Sequence, residues 1–313
     1  MTDKKVLPTV IALVGPTCSG KTALSLELAG QLNGEIVACD SRTIYRYMDI
    51  GTAKPSQGER SLIQHHMIDV VSPDENYTVA QYKVEAAAAI ESILVRQKTP
   101  IVCGGTGFYA RALLEGLDIP PVAPNEELRA ELKAAAESQG NQVLQERLRL
   151  LDPVSAERIA VNDLFRLVRA LEVCLTLGRP FSQLARRVAR PYRTIWLGLT
   201  AEVRSNLHAA IKLRFKEQMR SGLPAEVTAV VGRFGLTRAL ANTVNYKEFI
   251  PEVSRALLPD EIEELCIRHN CQLARRQLIW FRANPEIRWL AVDMLDSKQL
   301  SKQALDLIKS QQD

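Results

Sequence analysis

The sequence predicts an α/β protein in which a parallel sheet is flanked by helices and interrupted by an all-helical insertion domain. Two observations carry this prediction. Short apolar segments alternate with helical patterns in both halves of the chain, as they do in parallel α/β sheets. Between about residues 120 and 192 the alternation stops and only helical patterns remain. With 313 residues, 46% of them apolar, the chain is long enough to bury a sizeable core.

The first element is a strand followed by a phosphate-binding loop and a helix. The apolar segment VIALV runs into GPTCSGKT at residues 15–22, and leucines recur on one face of the helical pattern that follows. Gly15 and Gly20 permit a tight turn whose N–H groups hold phosphate oxygens. Lys21 adds a positive charge, and Thr22 adds a hydroxyl for Mg²⁺. We therefore predict a P-loop NTPase-like sheet.

Three more apolar segments, at residues 34–40, 99–105 and 194–200, are typical of buried strands. The first of them ends in Asp40, which could serve a metal, act as a base, or cap the next helix. The second ends in glycines, whereas a kinase-type site usually has a metal-binding acid at such a position. The loop alone therefore does not decide between phosphoryl transfer and other diphosphate chemistry.

The helical insertion begins where PPVAP breaks the chain. Its clearest helix lies within NDLFRLVRALEVCLTLGRP, where Asp163 or the asparagine before it can cap the helix and Gly178 can end it. The expected apolar stripe consists of Leu164, Leu167, Val168, Leu171 and Leu175. The predicted organisation is a core in two parts, residues 1–119 and 193–313, with the insertion at 120–192 between them.

Composition excludes several classes of protein. The net charge of +4 is too small for a globally basic nucleic-acid binder. The apolar run near the start has only five residues, too few for a signal peptide or a membrane span. The six cysteines form no C-x-x-C pair, and the four histidines have no zinc-binding spacing. We expect a cytoplasmic protein with reduced thiols, no structural metal and no membrane partner.

The stretch DSRTIYRYMDIGTAKP at residues 40–55 directly follows the second strand. Together with GPTCSGKT, HHMIDVVSPDENYTVAQY, GGTGFYARALLEGL, NDLFRLVRALEV, WLGLT and ARRQLIWFR, it resembles the bacterial tRNA dimethylallyltransferases over nearly the whole chain. The resemblance implies transfer of a dimethylallyl group from dimethylallyl diphosphate to the exocyclic N6 amine of the adenosine 3′ of the anticodon. Diphosphate would leave, and no phosphoryl group would be transferred.

The resemblance also implies roles for individual residues of the donor site. Asp40 would be the base, Thr17 would act at the reacting centre, and Arg214 would help Lys21 to stabilise the diphosphate. Mg²⁺ would be the cofactor, held by Thr22. The implied diphosphate-binding residues are Gly15, Thr17, Cys18, Ser19, Gly20, Lys21 and Thr22.

An acceptor adenosine in a folded loop must be turned out of its stack to be modified. The resemblance and the basic residues interleaved with Trp280 and Phe281 predict a set of tRNA contacts. That set is Asp40, Ser41, Arg42, Thr43, Thr106, Arg129, Arg166, Arg169, Arg275, Arg276 and Arg282. For the arginines the alternatives are solvated helix faces and internal ion pairs, for example between Arg169 and Glu172.

The chain departs from the family pattern in its second half. Ala210 and Asn242 stand where arginine is common, Asn245 stands where glycine is usual, and Asn270 and Cys271 replace Thr-Arg. Each lost phosphate contact would weaken RNA binding. The alternatives are therefore an adenine-nucleotide prenyltransferase, a non-catalytic tRNA-binding relative and, on the loop alone, a small-molecule kinase. We expect a monomer.

Overall fold

A parallel sheet organises the larger part of the chain. The computed structural model describes residues 7–184, 188–250 and 255–311. Within these ranges six strands form one sheet in the order β3-β2-β4-β1-β5-β6. The strands are β1 (Thr9–Val14), β2 (Gly34–Ala38), β3 (His65–His66), β4 (Thr99–Gly104), β5 (Arg193–Thr200) and β6 (Arg288–Ala291). The predicted α/β class is confirmed, and so are the four strands expected from the sequence.

Strand β1 lies at the centre of the sheet. It pairs with β4, placing Ile11 beside Ile101, and with β5, placing Leu13 beside Leu197. Helices cover both faces of the sheet, so the residues from Val10 to Val14 are fully buried. The continuous apolar run that predicted this strand is the consequence of burial on both faces.

Most helices belong to the same part of the chain as the sheet. They are α1 (Lys21–Gln31), α2 (Gln57–Leu62), α3 (Val79–Val95), α4 (Gly107–Leu114), α10 (Arg204–Arg220), α11 (Leu223–Phe234), α12 (Arg238–Ala241), α13 (Pro259–Arg282) and α14 (Ser297–Lys309), with a 3₁₀ helix at Lys247–Phe249. Local sequence sets where they begin. The Thr78 hydroxyl, for example, accepts from the Gln81 N–H, and the Gln81 side chain accepts from the Thr78 N–H, a reciprocal cap that starts α3. None of the helices in the described ranges is long and apolar enough to cross a membrane.

The chain divides into two compact units, an α/β unit of Met1–Leu114 with Pro191–Asp313 and a helical unit of Glu115–Arg190. The sequence placed the insertion at 120–192. The helices of the helical unit are α5 (Glu126–Gln139), α6 (Asn141–Leu151), α7 (Pro153–Arg158), α8 (Leu164–Leu177) and α9 (Phe181–Leu184).

Helix α8 follows its sequence signals closely. Asp163 accepts the Arg166 N–H at the start, and Gly178, at φ 62°, ends the helix in the left-handed region. The prediction that Leu175 belongs to the buried apolar stripe is wrong, because Leu175 is 37% exposed, whereas Cys174 is buried. Cys174 lies one turn after Leu171 on the buried face of α8. Leu175 lies on the exposed side of the helix.

Candidate active site

A cavity of about 920 Å³ opens in the α/β unit where β1, β2 and β4 end. Parallel α/β sheets characteristically bind ligands outside the carboxyl ends of their strands. The loops that follow the three strands line this cavity, together with parts of α10 and α13. All of the predicted diphosphate-binding residues except Gly15 line it, as do Asp40 and Arg214.

The phosphate loop is held by its own backbone and by a neighbouring strand. Gly15 has φ 150°, and a Cβ there would lie 2.5 Å from the Leu199 carbonyl oxygen, so only glycine fits. The Ser19 hydroxyl donates to the Pro16 carbonyl at 2.9 Å. Helix α1 begins at Lys21, so the positive end of its dipole points toward the cavity where an anion would sit.

Gln277 of α13 is a site residue that the sequence analysis missed. Its Oε1 accepts the Thr17 N–H at 2.7 Å, and its amide nitrogen lies so close to Gly105 that a Cβ there would approach it to 2.3 Å. Gln277 therefore ties the phosphate loop and the end of β4 to α13. It belongs to the motif ARRQLIWFR, in which the sequence analysis used only the arginines and the two aromatic residues.

Lys21 and Arg214 are two cations that line the cavity. Lys21 is half-buried, and desolvation lowers the pKa of its amine, opposed in part by the nearby Cys103 and Asp40. Its Nζ donates to the Pro16 carbonyl at 2.5 Å. Within the described residues neither Lys21 nor the half-buried Arg214 forms an ion pair. A partly desolvated cation without a counter-charge is unfavourable, and an anionic ligand in the cavity would compensate it.

Asp40 follows β2 and lies at the cavity wall. Its Oδ1 accepts the Arg42 N–H at 2.8 Å, which closes a short turn. The expectation that Asp40 could cap the next helix is wrong, because turns follow it and α2 begins only at Gln57, capped by Ser56. Its position is thus explained by the cavity rather than by a helix start.

A buried hydroxyl without a partner lies beside Asp40. Thr43 is 7% exposed and lines the cavity, and its Oγ1 has no hydrogen-bond partner. Only three buried side-chain polar atoms in the described residues lack a partner, and the other two, in Thr194 and Trp196, lie away from the cavity. Thr106, another predicted contact, accepts the Ser41 N–H at 3.0 Å. These groups form a polar wall with unused hydrogen-bonding capacity.

Residues 49–51, the Asp-Ile-Gly segment of DSRTIYRYMDIGTAKP, are held from two sides by hydrogen bonds, an arrangement that we call the clamp. Glu226 accepts the N–H groups of residues 49, 50 and 51 at 2.8–3.0 Å. On the other side, Gln218 and Asn245 donate to the Gly51 carbonyl at 3.2 and 3.1 Å. The clamp fixes the segment that continues into the cavity wall at Gly51, Thr52 and Ala53.

Two departures from the family pattern are explained by this clamp. Asn245 has φ 73°, a conformation that asparagine tolerates better than most residues, and Asn270 donates to its Oδ1 at 2.7 Å. Both side chains are buried, so the hydrogen bond between them takes the place of hydrogen bonds with water. Ala210 and Asn242 line the cavity, whereas Cys271 packs beside Cys18 in a small apolar cluster.

The predicted tRNA-contact arginines fall into three groups. Arg42 and Arg276 line the cavity. Arg275 and Arg282 are exposed on α13 and do not line it. The third group lies in the helical unit and comprises Arg129, Arg166 and Arg169.

In the helical unit, the buried carboxylate of Glu172 binds two of those arginines. Arg129 donates to its two oxygens at 2.8 and 2.9 Å, and Arg169 donates at 2.5 Å. Burial opposes the ionisation of Glu172, but the hydrogen bonds from both arginines and from the Asn125 N–H outweigh it and lower the pKa. The Arg169–Glu172 pair expected as the alternative is therefore present. Arg166 is exposed, 3.2 Å from Asp163, and its contact with RNA stays a prediction.

The metal-binding side chains of the cavity are suited to Mg²⁺ only when a bound diphosphate supplies further oxygen ligands. No group of three or more metal-binding side chains occurs in the part of the chain that the structure describes. The Thr22 hydroxyl lines the cavity and makes no hydrogen bond within those same residues. Mg²⁺ is commonly bound through few protein oxygens plus substrate phosphates, so this site fits it.

The matching family profile is described as IPP transferase and covers residues 43–284. The chain belongs to the IPP transferase family. It is 45% identical over 284 residues to the tRNA dimethylallyltransferase of Herpetosiphon aurantiacus, covering 89% of both chains. The predicted resemblance is thereby confirmed.

Solved structures of family members agree with this fold. The full-length tRNA isopentenylpyrophosphate transferase of Bacillus halodurans matches with a TM-score of 0.72 at 32% identity, over 96% of each chain. A eukaryotic dimethylallyltransferase acting on tRNA matches with a TM-score of 0.79 at 25% identity, over 95% of this chain and 77% of that one.

Proposed function

We propose that this protein is a tRNA dimethylallyltransferase, a prenyltransferase that modifies the N6 amine of the adenosine 3′ of the anticodon. The observation that carries the proposal is the grouping of Lys21, Arg214 and Asp40 around one cavity, with both cations lacking an acidic partner in the described ranges. Its relatives carry the name of this activity. The proposed location is the cytoplasm, where tRNA is available.

The donor half of the reaction is the departure of diphosphate from dimethylallyl diphosphate. The N–H groups at the start of α1, with Lys21 and Arg214, would bind the diphosphate and stabilise the charge that develops as the C1–O bond breaks. Thr17, whose N–H donates to Gln277, would act beside that bond. Mg²⁺, held by Thr22 and the diphosphate, would add further neutralisation of the leaving group.

The acceptor half is attack by the adenosine amine. The N6–C1 bond forms as the C1–O bond breaks, and Asp40 takes the N6 proton, so that charge and atoms balance. An exocyclic amine is a poor nucleophile until that proton can leave, which is why a carboxylate at the cavity wall matters. The Thr43 hydroxyl, which has no partner within the described residues, would accept a hydrogen bond from the flipped base or donate one to it.

A second candidate is prenyl transfer to a free adenine nucleotide. It is favoured by Ala210 and Asn242, which line the cavity at positions where relatives commonly have arginine. A nucleotide would need fewer cationic contacts than a folded RNA. The buried Asn245–Asn270 pair weakens this argument, since two of the departures contribute to internal structure.

One experiment separates these functions. The protein is incubated with labelled dimethylallyl diphosphate, Mg²⁺ and either tRNA or AMP, and the nucleosides from digested tRNA are analysed by mass spectrometry. We expect dimethylallyladenosine at the position 3′ of the anticodon. Label in AMP alone would establish the second candidate, and binding of tRNA without product would indicate a non-catalytic relative.

A further inference from the structure

Two aromatic side chains at the cavity are left partly in solvent. Phe108 on α4 is 42% exposed and Trp280 on α13 is 37% exposed, and both line the cavity. Their ring centroids are 6.2 Å apart with an interplanar angle of 55°. We call them the aromatic pair. The stacked Tyr82 and Tyr109 of the same unit are by contrast buried.

Trp280, one member of the aromatic pair, is held in position by its surroundings. Trp280 lies so close to the backbone of Gly107 that a Cβ there would meet its atoms at 3.0–3.2 Å. The guanidinium of Arg111 lies 5.5 Å from the centre of the Trp280 ring, within cation–π range. An exposed ring held this firmly is preorganised for a flat partner, because binding would cost it little conformational entropy.

Positive charge beside the aromatic pair favours a nucleic acid over an apolar ligand. Arg276 lies one turn before Trp280 on α13, lines the cavity and has no ion-pair partner in the described ranges. Aromatic rings next to guanidinium groups are the combination that binds single-stranded RNA, because the rings stack on the bases and the positive charge binds the phosphates. A dimethylallyl tail would gain nothing from the arginines.

We infer that the aromatic pair stacks a base next to the acceptor adenosine in the tRNA loop, an inference that rests on the proposed function. When the acceptor is turned out into the cavity, the neighbouring base loses its stacking partner. A ring at the cavity mouth replaces that partner and holds the loop open. The aromatic pair would then act as a positioning element for the RNA and would leave donor binding unaffected.

The inference is tested with the full chain and a stem-loop RNA that carries the anticodon loop. Phe108→Ala and Trp280→Ala should each weaken binding of this RNA about ten-fold, as expected for loss of one stacked base. Affinity for dimethylallyl diphosphate should change less than two-fold. The matched control is Ile279→Ala, since Ile279 neighbours Trp280, is 60% exposed and does not line the cavity. It should bind both ligands like the parent.

An RNA with an abasic site next to the acceptor adenosine gives the sharper test. The parent should lose about ten-fold in affinity when the neighbouring base is removed on the stacked side, whereas Trp280→Ala should lose less than two-fold. A merely structural role for Trp280 predicts the same loss in both proteins. That result, or a loss of donor affinity that matches the loss of RNA affinity, would overturn the inference.

Fluorescence supplies a readout that does not depend on folding of an alanine variant. Of the three tryptophans, Trp196 is buried and Trp289 is half-buried, so Trp280 is the most exposed. RNA should quench the emission of the parent and of Ile279→Ala but not that of Trp280→Phe, which retains a stacking ring. Equal quenching in Trp280→Phe would contradict the inference. Absence of prenyl transfer to tRNA by the parent would instead contradict the proposed function.

Discussion

The helical unit and the α/β unit each withdraw a charged side chain at least partly from water, and they treat it differently. Glu172 in the helical unit is fully buried, and Arg129 and Arg169 neutralise it. Lys21 in the α/β unit is half-buried at the cavity, but in the described residues it forms no ion pair, and its contact is a backbone carbonyl. The comparison teaches that charge satisfied inside the protein serves the fold, whereas charge left unsatisfied at a cavity is available for a ligand.

Asp40, like Lys21, is a charged residue at the cavity. Of the substitutions considered, removal of its charge should have the largest effect on the rate of prenyl transfer. Asp40→Asn keeps the shape and can still accept the Arg42 N–H, but it removes the charge that takes the amine proton. Single-turnover prenyl transfer should fall by about 10² to 10⁴, the usual contribution of a positioned base. Dimethylallyl diphosphate should bind as before.

The control for Asp40 is Asp74→Asn, an exposed aspartate that does not line the cavity. Its transfer rate should equal that of the parent. A rate for Asp40→Asn within a few-fold of the parent would remove Asp40 from the role of base.

Glu172 tests the other side of the comparison. Glu172→Gln leaves two guanidinium groups without their counter-charge, so the free energy of unfolding should fall by about 3 kcal/mol. Denaturant unfolding measures this, with the exposed Glu157→Gln as a control that should change little. Unchanged stability together with altered tRNA affinity would mean that Arg129 and Arg169 face RNA rather than the fold.

Glu35 shows that a buried charge can also be neutralised by side chains of the protein in the α/β unit. It is buried in the α/β unit; burial opposes its ionisation, but hydrogen bonds from His66, Lys98 and Arg96 bring the pKa to about 2. Because this folded-state pKa lies below the ordinary value of 4.5, its stabilisation is present above pH 4.5 and is lost as pH falls toward 2.

The measurement for Glu35 is the difference in unfolding free energy between the parent and Glu35→Gln as a function of pH. We expect a difference of about 2–3 kcal/mol that is constant from pH 7 to 5 and shrinks below pH 4.5. A difference that stays constant down to pH 3 would show that the carboxylate charge contributes nothing.

Arg166 should give the smallest effect. Its side chain is 67% exposed, and its pairing with Asp163 is a surface ion pair. Arg166→Ala should change stability by less than about 0.5 kcal/mol. If Arg166 contacts a phosphate, tRNA affinity should fall a few-fold and its slope against salt should flatten by about one. Arg158→Ala, exposed on α7, is the control, and equal salt slopes for the two variants would contradict the RNA contact.

The sequence predicted the parts of the molecule that local patterns specify. The loop GPTCSGKT, the four long strands and the caps of α8 follow from glycine positions, apolar runs and Asp163. The strands β3 and β6 escaped prediction because they have only two and four residues; β3 is His-His, and the apolar run of β6 is short. Such strands are fixed by pairing with a neighbour rather than by their own sequence.

Contacts between distant segments could not be derived from the sequence in the same way. Gln277 lies 260 positions from Thr17, and nothing in its surroundings indicates that it accepts a loop N–H. In the sequence, Asn245 and Asn270 look like two unrelated departures from the family pattern. The structure places both in one buried hydrogen-bond network. The orphaned hydroxyl of Thr43 becomes visible only when its neighbours are known.

The most direct test of the central comparison is Lys21→Met, measured by calorimetric titration with dimethylallyl diphosphate and Mg²⁺ and by denaturant unfolding. Lys212→Met, exposed on α10 and outside the cavity, is the control. We predict that donor affinity falls on the order of 100-fold, as for loss of a charge-assisted hydrogen bond, while the free energy of unfolding does not decrease. Unchanged donor affinity together with a loss of stability would contradict the account, because Lys21 would then serve the fold and not the ligand.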